Sequence, residues 1–429
     1  MSRAAHPSFL GFFIRGGNAR RDSSLCENSV VSPWLRRSAP PGGARWGNMV
    51  ASVSLLERGF SEVKRLCYAG LDAPSLLRAV VSRVGRIAPF DAYCAQTNDP
   101  ISGLLTQVVT TGAFGDDEHR RYLEQIYFQE DWDEQRKMIW TRIPVVRLSD
   151  TTGGALERAL RYRELTGPLG LGYEVLAICA VGREQWGGIN FIRERRRPDF
   201  DAREVAFIRR LAPHIGAGLQ AAALRALATT KPEAESVPGV LVLDDRGRIA
   251  QHTQAAERYL RELDDLGLDW LEGRGLPAPV WIAVGALRKA LAPEMERDLR
   301  TVPRICVQTR AGRWLTLHGA RTLSEGGRQG ETMVVIEPSQ PRELAWLRAS
   351  AYGLSERERA VVDHVTQGAS TKDISKALVI SEYTVQEHLS HIFDKVGVRG
   401  RQALIRRLFF DHLVPQILTA AENGAQPPG

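Results

Sequence analysis

Cysteine is scarce in this chain, and its placement excludes two broad classes of protein. The five cysteines fall at positions 26, 67, 94, 179 and 306 of 429 residues, with no CxxC pair among them. A scattered, odd-numbered set builds neither a disulfide framework nor a zinc finger, and it points to a reducing, cytoplasmic location. Long apolar runs are lacking as well. No stretch approaches the roughly 18 uncharged apolar residues that a membrane helix needs, so no membrane partner is expected. The chain also shows no cluster of metal ligands and no nucleophile beside a base, which argues against a hydrolase: no catalytic residue, metal site or cofactor is assigned. The N-terminal half lacks the acidic cluster, later Asp and Lys of a phosphorylated receiver domain.

What is present is length and charge. A chain of 429 residues exceeds what one hydrophobic core supports, so two to four domains are expected on the usual ~100–200 residues per domain. The formal net charge of +7 invites a nucleic-acid reading, but its location weakens that inference. Residues 1–48 carry seven arginines against Asp22 and Glu27, a net +5 that leaves only +2 for the other 381 residues. This Gly/Pro/Ser/Arg-rich stretch reads as a disordered leader, or as an untranslated segment upstream of a start at Met49.

From residue 61 to 226, helical and strand-like periods alternate. Leu76, Leu77, Val80, Val81 and Val84 give a helix one apolar side, ending near Pro89. FDAYCAQT and GLLTQVVTTG read as a hairpin joined by the turn-rich NDPIS. A helical stretch bearing Tyr122, Tyr127, Trp132 and Trp140 follows, then the strands IPVVRLSD, YEVLAICAVG and QWGGINFIRE, and a long helix from Asp201 to about Leu227. This is an α+β pattern. The polar break TTKPEAESVP (229–238) precedes a second α+β segment: a hairpin in GVLVLDDRGRIAQH, a helix with Ala255, Ala256, Tyr259 and Leu260 on one face, and three strands in RICVQTRAGRWLTLHGARTL and ETMVVIEP. His252 and His318 stand alone and are not read as ligands.

The C-terminal segment 354–408 parses into four short helices. Ser355 with Glu358 has the form of a capping box, Val361, Val362 and Val365 form an apolar side, and Gly368 closes the helix. Ser370 with Asp373 opens a second helix that turns Ile374, Ala377 and Leu378 inward. After a short turn at Val379 and Ile380, Ser381 caps a third helix burying Val385, Leu389, Ile392 and Val396, which Gly397 stops. A fourth runs from Arg401 to Phe410, with Leu404, Ile405 and Leu408 buried. Two short helices joined by a tight turn, the second amphipathic, make a helix-turn-helix. The outward face of the third helix then carries Gln386, Glu387, Ser390, His391 and Asp394, ringed by Lys372, Lys395, Arg399 and Arg401 for phosphate contact. Gln pairs bidentately with adenine and Glu accepts from cytosine N4.

This segment resembles the LuxR-type helix-turn-helix over its whole length: LSERERAV at the start, Gly368-Ala369-Ser370, Lys372-Asp373-Ile374, Ile380-Ser381, Thr384-Val385, His388-Leu389 and Lys395 to Arg399. The resemblance implies that Gln386, Glu387 and Ser390 face bases while Lys372, Ser381, Thr384, Lys395 and Arg399 lie near the backbone. Gln386 and Glu387 stand where many relatives carry lysine, which leaves the operator sequence open. PFDAY, the Trp-Gly-Gly of QWGGINFIRE and RPDFDAREVAFIRRLAPHIGAGLQ are similar to GAF-like sensor modules, and residues 238–338 resemble a PAS-type module. Those resemblances imply a ligand pocket, for which Tyr93, Trp132 and Trp140 are candidates, although ordinary packing explains the same aromatics.

The expected organisation is therefore multidomain: a leader at 1–48, a GAF-like domain at 49–228, a PAS-like domain at 229–338, a linker at 339–353, an all-α four-helix DNA-binding domain at 354–412 and a flexible tail at 413–429. The expected function is a sequence-specific transcriptional regulator, with double-stranded DNA and a second copy of the chain as partners and an unidentified small-molecule effector. The alternative is a protein-interaction module whose helix-turn-helix does not bind DNA.

Overall fold

In the computed structural model, which describes residues 45–110, 143–229, 237–244, 247–263, 276–290, 304–309, 311–323 and 329–410, the first element is helix α1 (Arg45–Cys67). It begins inside the stretch expected to be a leader. The chain forms two compact units, Met1–Val50 and Ala51–Gly429, and all later elements belong to the second. Helix α2 (Ala73–Val84) starts where Asp72 accepts a hydrogen bond from the Ser75 amide at 2.8 Å, and it buries the apolar set that its spacing predicts.

Strands β1 (Ala92–Asn98), β2 (Leu105–Thr110), β3 (Val145–Arg147), β4 (Leu171–Val181) and β5 (Glu184–Glu194) form an antiparallel sheet in the order β2-β1-β5-β4-β3. The expected hairpin is β1–β2. Helix α3 (Ala202–Ala228), opened by a reciprocal Asp201–Glu204 capping box, lies on the sheet with Val205, Ile208, Leu211, Ile215 and Leu219 inward. Gly187 on β5 marks the closest approach. A Cβ there would come within 2.5 Å of both the Gln96 carbonyl oxygen and Leu219. The helical stretch expected around Tyr122 to Trp140 falls outside the described residues.

A second antiparallel sheet holds β6 (Gly239–Leu243), β7 (Ile249–His252), β8 (Arg304–Gln308), β9 (Trp314–Leu323) and β10 (Gln329–Pro338), in the order β7-β6-β10-β9-β8. In its own numbering this is the same order as the first. Helix α4 (Gln254–Glu262) buries Ala256, Tyr259 and Leu260, as its pattern predicts. Helix α5 (Ala278–Ala290) was not anticipated. It is buried nearly all round, through Val280, Trp281, Ile282, Ala283 and Val284, so it lacks the polar face that makes a helix readable. The polar break at 229–238 divides the sequence but not the packing. Leu104 and Leu105 from the first sheet join the second sheet's core, and Cys306 and Trp314 from the second join the first.

The expected linker at 339–353 is instead a packed helix, α6 (Pro341–Ala351). Pro341 occupies the first helical position, where a missing N–H costs nothing. The Glu343 carboxylate accepts from the Gln340 amide at 2.9 Å. Leu344, Leu347 and Ala351 belong to the first sheet's core, while Ala349 belongs to the C-terminal core. Beyond it come α7 (Glu356–Thr366), α8 (Thr371–Leu378), α9 (Glu382–Val396) and α10 (Arg401–Ile405), which continues as a π-helical turn through Phe410.

These four helices close over Val361, Val362, Val365, Ile374, Val385, Leu389, Ile392, Val396, Leu404 and Leu408. Ala377, expected inward, is exposed, and Ile405 is half-buried. Among the described residues no helix is long and apolar enough to cross a membrane. The four described cysteines are buried, and none is in a disulfide.

Candidate nucleic-acid interface

Local hydrogen bonds set the position of the outward helix face. Ser370 Oγ accepts from the Asp373 amide at 3.2 Å and the Asp373 carboxylate accepts from the Ser370 amide at 3.1 Å, so two of the orphan donors at the start of α8 are satisfied. The turn that follows is pinned by Ser375, whose hydroxyl donates to the Ile380 carbonyl at 2.6 Å. Val379 takes the left-handed conformation there, with φ +53°. Ser381 Oγ then accepts from the Thr384 amide at 3.0 Å and starts α9. Val385, Leu389, Ile392 and Val396 are buried, which commits the opposite side of α9 to solvent.

That solvent side carries Gln386, Glu387, Ser390, His391 and Asp394, all exposed. Their i, i+4 and i, i+3 relations place them on one stripe. Tyr383, which the sequence reading passed over, adds a 72% exposed ring at the start of the stripe, and Val379 before it is 88% exposed. Gln386 is oriented: its amide Nε2 donates to Thr371 Oγ1 at 3.1 Å. Thr371 is fifteen residues upstream, and nothing in the sequence spacing reveals that contact.

The basic residues divide into two groups. Lys372 and Arg399 are exposed beside the stripe, with Ser381 exposed and Thr384 half-buried at the helix start. Lys395, exposed, and Arg401, half-buried, the other two expected near phosphate, also make contacts within the domain. Lys395 Nζ donates to Glu358 at 2.7 and 2.9 Å and to the Gly353 carbonyl at 3.1 Å. Burial alone would push the Glu358 carboxyl up, but hydrogen bonds from Lys395 and Ser355 outweigh it and hold it below the usual carboxylate range. Arg401 donates to the Ala369 carbonyl at 2.6 Å and to Thr371 Oγ1 at 2.8 Å. Both cations therefore tie helices of the domain together, and Lys395 remains exposed.

Of the sensor-side candidates, Tyr93 lies among the described residues. Tyr93 is half-buried on β1 with its ring edge-on to Phe90 at 5.7 Å, and burial pushes its phenol up from its ordinary range. Trp132 and Trp140 lie outside the described residues. Among the described residues no group of acidic, histidine and cysteine side chains could hold a metal ion.

Residues 352–408 match the family described as bacterial regulatory proteins, luxR family. The spore germination protein GerE of Bacillus subtilis (strain 168) is 45% identical over 56 residues, which cover 13% of this chain and 76% of GerE. The chain belongs to the luxR family. The putative HTH-type transcriptional regulator Mb0914c of Mycobacterium bovis is 46% identical over 52 residues, 12% of this chain; this chain spans only 6% of its length. The structure of the VqsR LBD domain from Pseudomonas aeruginosa aligns over 41% of this chain and 96% of that one, at 18% identity and a TM-score of 0.27. The luxR-family match covers the capped helices and the exposed stripe just described, and it takes in Tyr352 and Gly353 at the end of α6.

Proposed function

We propose that this chain is a sequence-specific, DNA-binding transcriptional regulator, with its N-terminal sheets acting as a sensor region that biases the luxR-type helix-turn-helix. The observation that carries this reading is the polar stripe of α9, held outward by a buried apolar spine within the segment that matches the family. An α-helix of this kind fits the major groove, where Gln386, Glu387 and Ser390 meet base edges. Lys372, Ser381, Thr384 and Arg399 meet the flanking phosphates. Lys395 and Arg401 keep the helices in place. Glu382, Glu387 and Asp394 repel phosphate, so non-specific affinity is low and selectivity rests on base contacts.

The two sheets, sharing one strand order, read as two modules of related kind, GAF-like at 49–228 and PAS-like at 229–338. A homodimer would place two recognition helices on half-sites about one helical turn apart. The test is fluorescence anisotropy of the full chain against a randomised duplex pool across a salt series. Enrichment of a two-fold symmetric sequence is expected. Uniform, weak binding at every sequence would favour the reading in which the helix-turn-helix serves protein contacts only.

A further inference from the structure

We propose that Thr371, anchored by Arg401, is a positioning residue for sequence readout: it tethers Gln386 so that the glutamine amide selects adenine over guanine. The tether matters only if α9 reads DNA, so the assignment rests on the function proposed above.

Three helices converge on one hydroxyl. Thr371 is the first residue of α8, Gln386 lies in the second turn of α9, and Arg401 opens α10. Arg401 donates one N–H to Thr371 Oγ1 at 2.8 Å and another to the Ala369 carbonyl at 2.6 Å. The Ala369 amide in turn donates to the His364 carbonyl at 3.0 Å, so this anchor is itself fixed to the end of α7. Gln386 Nε2 donates to the same Thr371 oxygen at 3.1 Å. A hydroxyl oxygen has two lone pairs, and these two donors account for both. The bond from Arg401 is charge-assisted and therefore the stronger. Thr371 and Arg401 are half-buried while Gln386 is exposed, so Thr371 is the fixed end of the tether and Gln386 the held one.

What the tether leaves unused defines the base. A carboxamide carries one acceptor oxygen and two N–H donors. With one N–H engaged by Thr371, Gln386 retains Oε1 and one N–H for a partner. An acceptor beside a donor matches the N6 amino group and N7 of adenine, whereas guanine offers two acceptors, O6 and N7, on the same edge. A free amide can turn over and give an N–H to either base, which erodes the discrimination. Holding the side chain before DNA arrives also removes the ordering cost that a flexible glutamine meets on binding.

The experiment measures affinities of the full chain by fluorescence anisotropy at one salt concentration. The duplex is the one that the wild-type chain enriches from a randomised pool, and the base position is the one at which Gln386→Ala loses preference. Four versions of that duplex carry each base there, and the wild-type chain is expected to prefer adenine. Thr371→Val and Thr371→Ala, which remove the hydroxyl, should each lower the adenine-to-guanine affinity ratio by about two- to tenfold, the range set by ordering one flexible side chain. Affinity for a scrambled duplex should stay unchanged. Thr371→Ser, which keeps the hydroxyl, should retain the wild-type ratio, and Thr371→Val added to Gln386→Ala should alter none of the four affinities. A purely structural role for Thr371 predicts instead an equal loss on every duplex. That result, an unchanged ratio in the hydroxyl-less variants, a preferred base other than adenine, or no position at which Gln386→Ala loses preference would overturn the inference and leave the DNA-binding reading standing. Uniform binding of the wild-type chain to the whole pool would overturn both.

Discussion

At the scale of single residues, the C-terminal domain contains one conformation that costs energy and one charge pair that repays close reading. Val379 is β-branched and sits at φ +53°, where a branched Cβ crowds the backbone. Val379→Asn, which tolerates that region, is expected to raise the unfolding free energy by about 0.5–1 kcal/mol. Urea denaturation of the full chain measures it, and a lowered midpoint would count against the strain. Lys395 presents the opposite case. Lys395→Met leaves the buried Glu358 carboxylate without its cation and should cost about 1–3 kcal/mol, with Glu358→Gln in the same chain recovering most of the loss.

The same pair sets a pH dependence. The folded Glu358 pKa lies below its unfolded value, so the unfolded state binds the extra proton first on acidification. The contribution is complete above the ordinary carboxylate range and is lost as pH falls through the depressed folded value. Melting of the wild-type chain across that acid range should fall more steeply than melting of the Glu358→Gln variant.

At the scale of the element, α9 faces two ways and substitutions should separate its roles. Gln386→Ala removes a base-facing amide and is expected to weaken binding to the preferred duplex by about 1–3 kcal/mol while relaxing preference at one base position. Arg399→Ala should weaken all sequences alike and reduce the magnitude of the salt slope by about one. Anisotropy titrations against the selected duplex and a scrambled one distinguish the two behaviours. On the inner face, Val385 is fully buried, and Val385→Asp places an unpaired carboxylate in a small core at a cost of several kcal/mol. The C-terminal helices should then fail to melt cooperatively, as read by hydrogen exchange of α7 to α10.

At the scale of the whole molecule, α6 is where sensor and DNA-binding parts become one structure. Gln220 of α3 donates to the Ser350 carbonyl at 3.2 Å, and Arg359 of α7 pairs with Glu184 beside the β4–β5 turn. Burial pushes the Glu184 carboxyl up, while Arg359 draws it back toward the ionised form. A fragment spanning 340–410 retains Arg348 and Ala349 within the C-terminal packing, whereas one spanning 354–410 loses both. The longer fragment is expected to be more stable by about 2 kcal/mol, from one buried hydrogen bond and the apolar area that goes with it. It should still bind operator DNA. Parallel melting curves and one anisotropy titration check both statements.

The helix-turn-helix was legible from sequence alone because it is built from local rules. Ser355 with Glu358, Ser370 with Asp373, and Ser381 act over three residues, and the spine Val385, Leu389, Ile392 and Val396 follows from the turn of one helix. Strand positions in both sheets were legible as short apolar runs bounded by turn residues, which is also a local signal. Only the tertiary structure could set Lys395 against Glu358, 37 residues apart, Arg401 against Thr371, 30 apart, or Asp99 against Cys306, 207 apart. Helix α5 was hidden because burial on every side erases periodicity. The interleaved cores depend on how two sheets meet, and no spacing along one chain encodes a contact that exists only after both have folded.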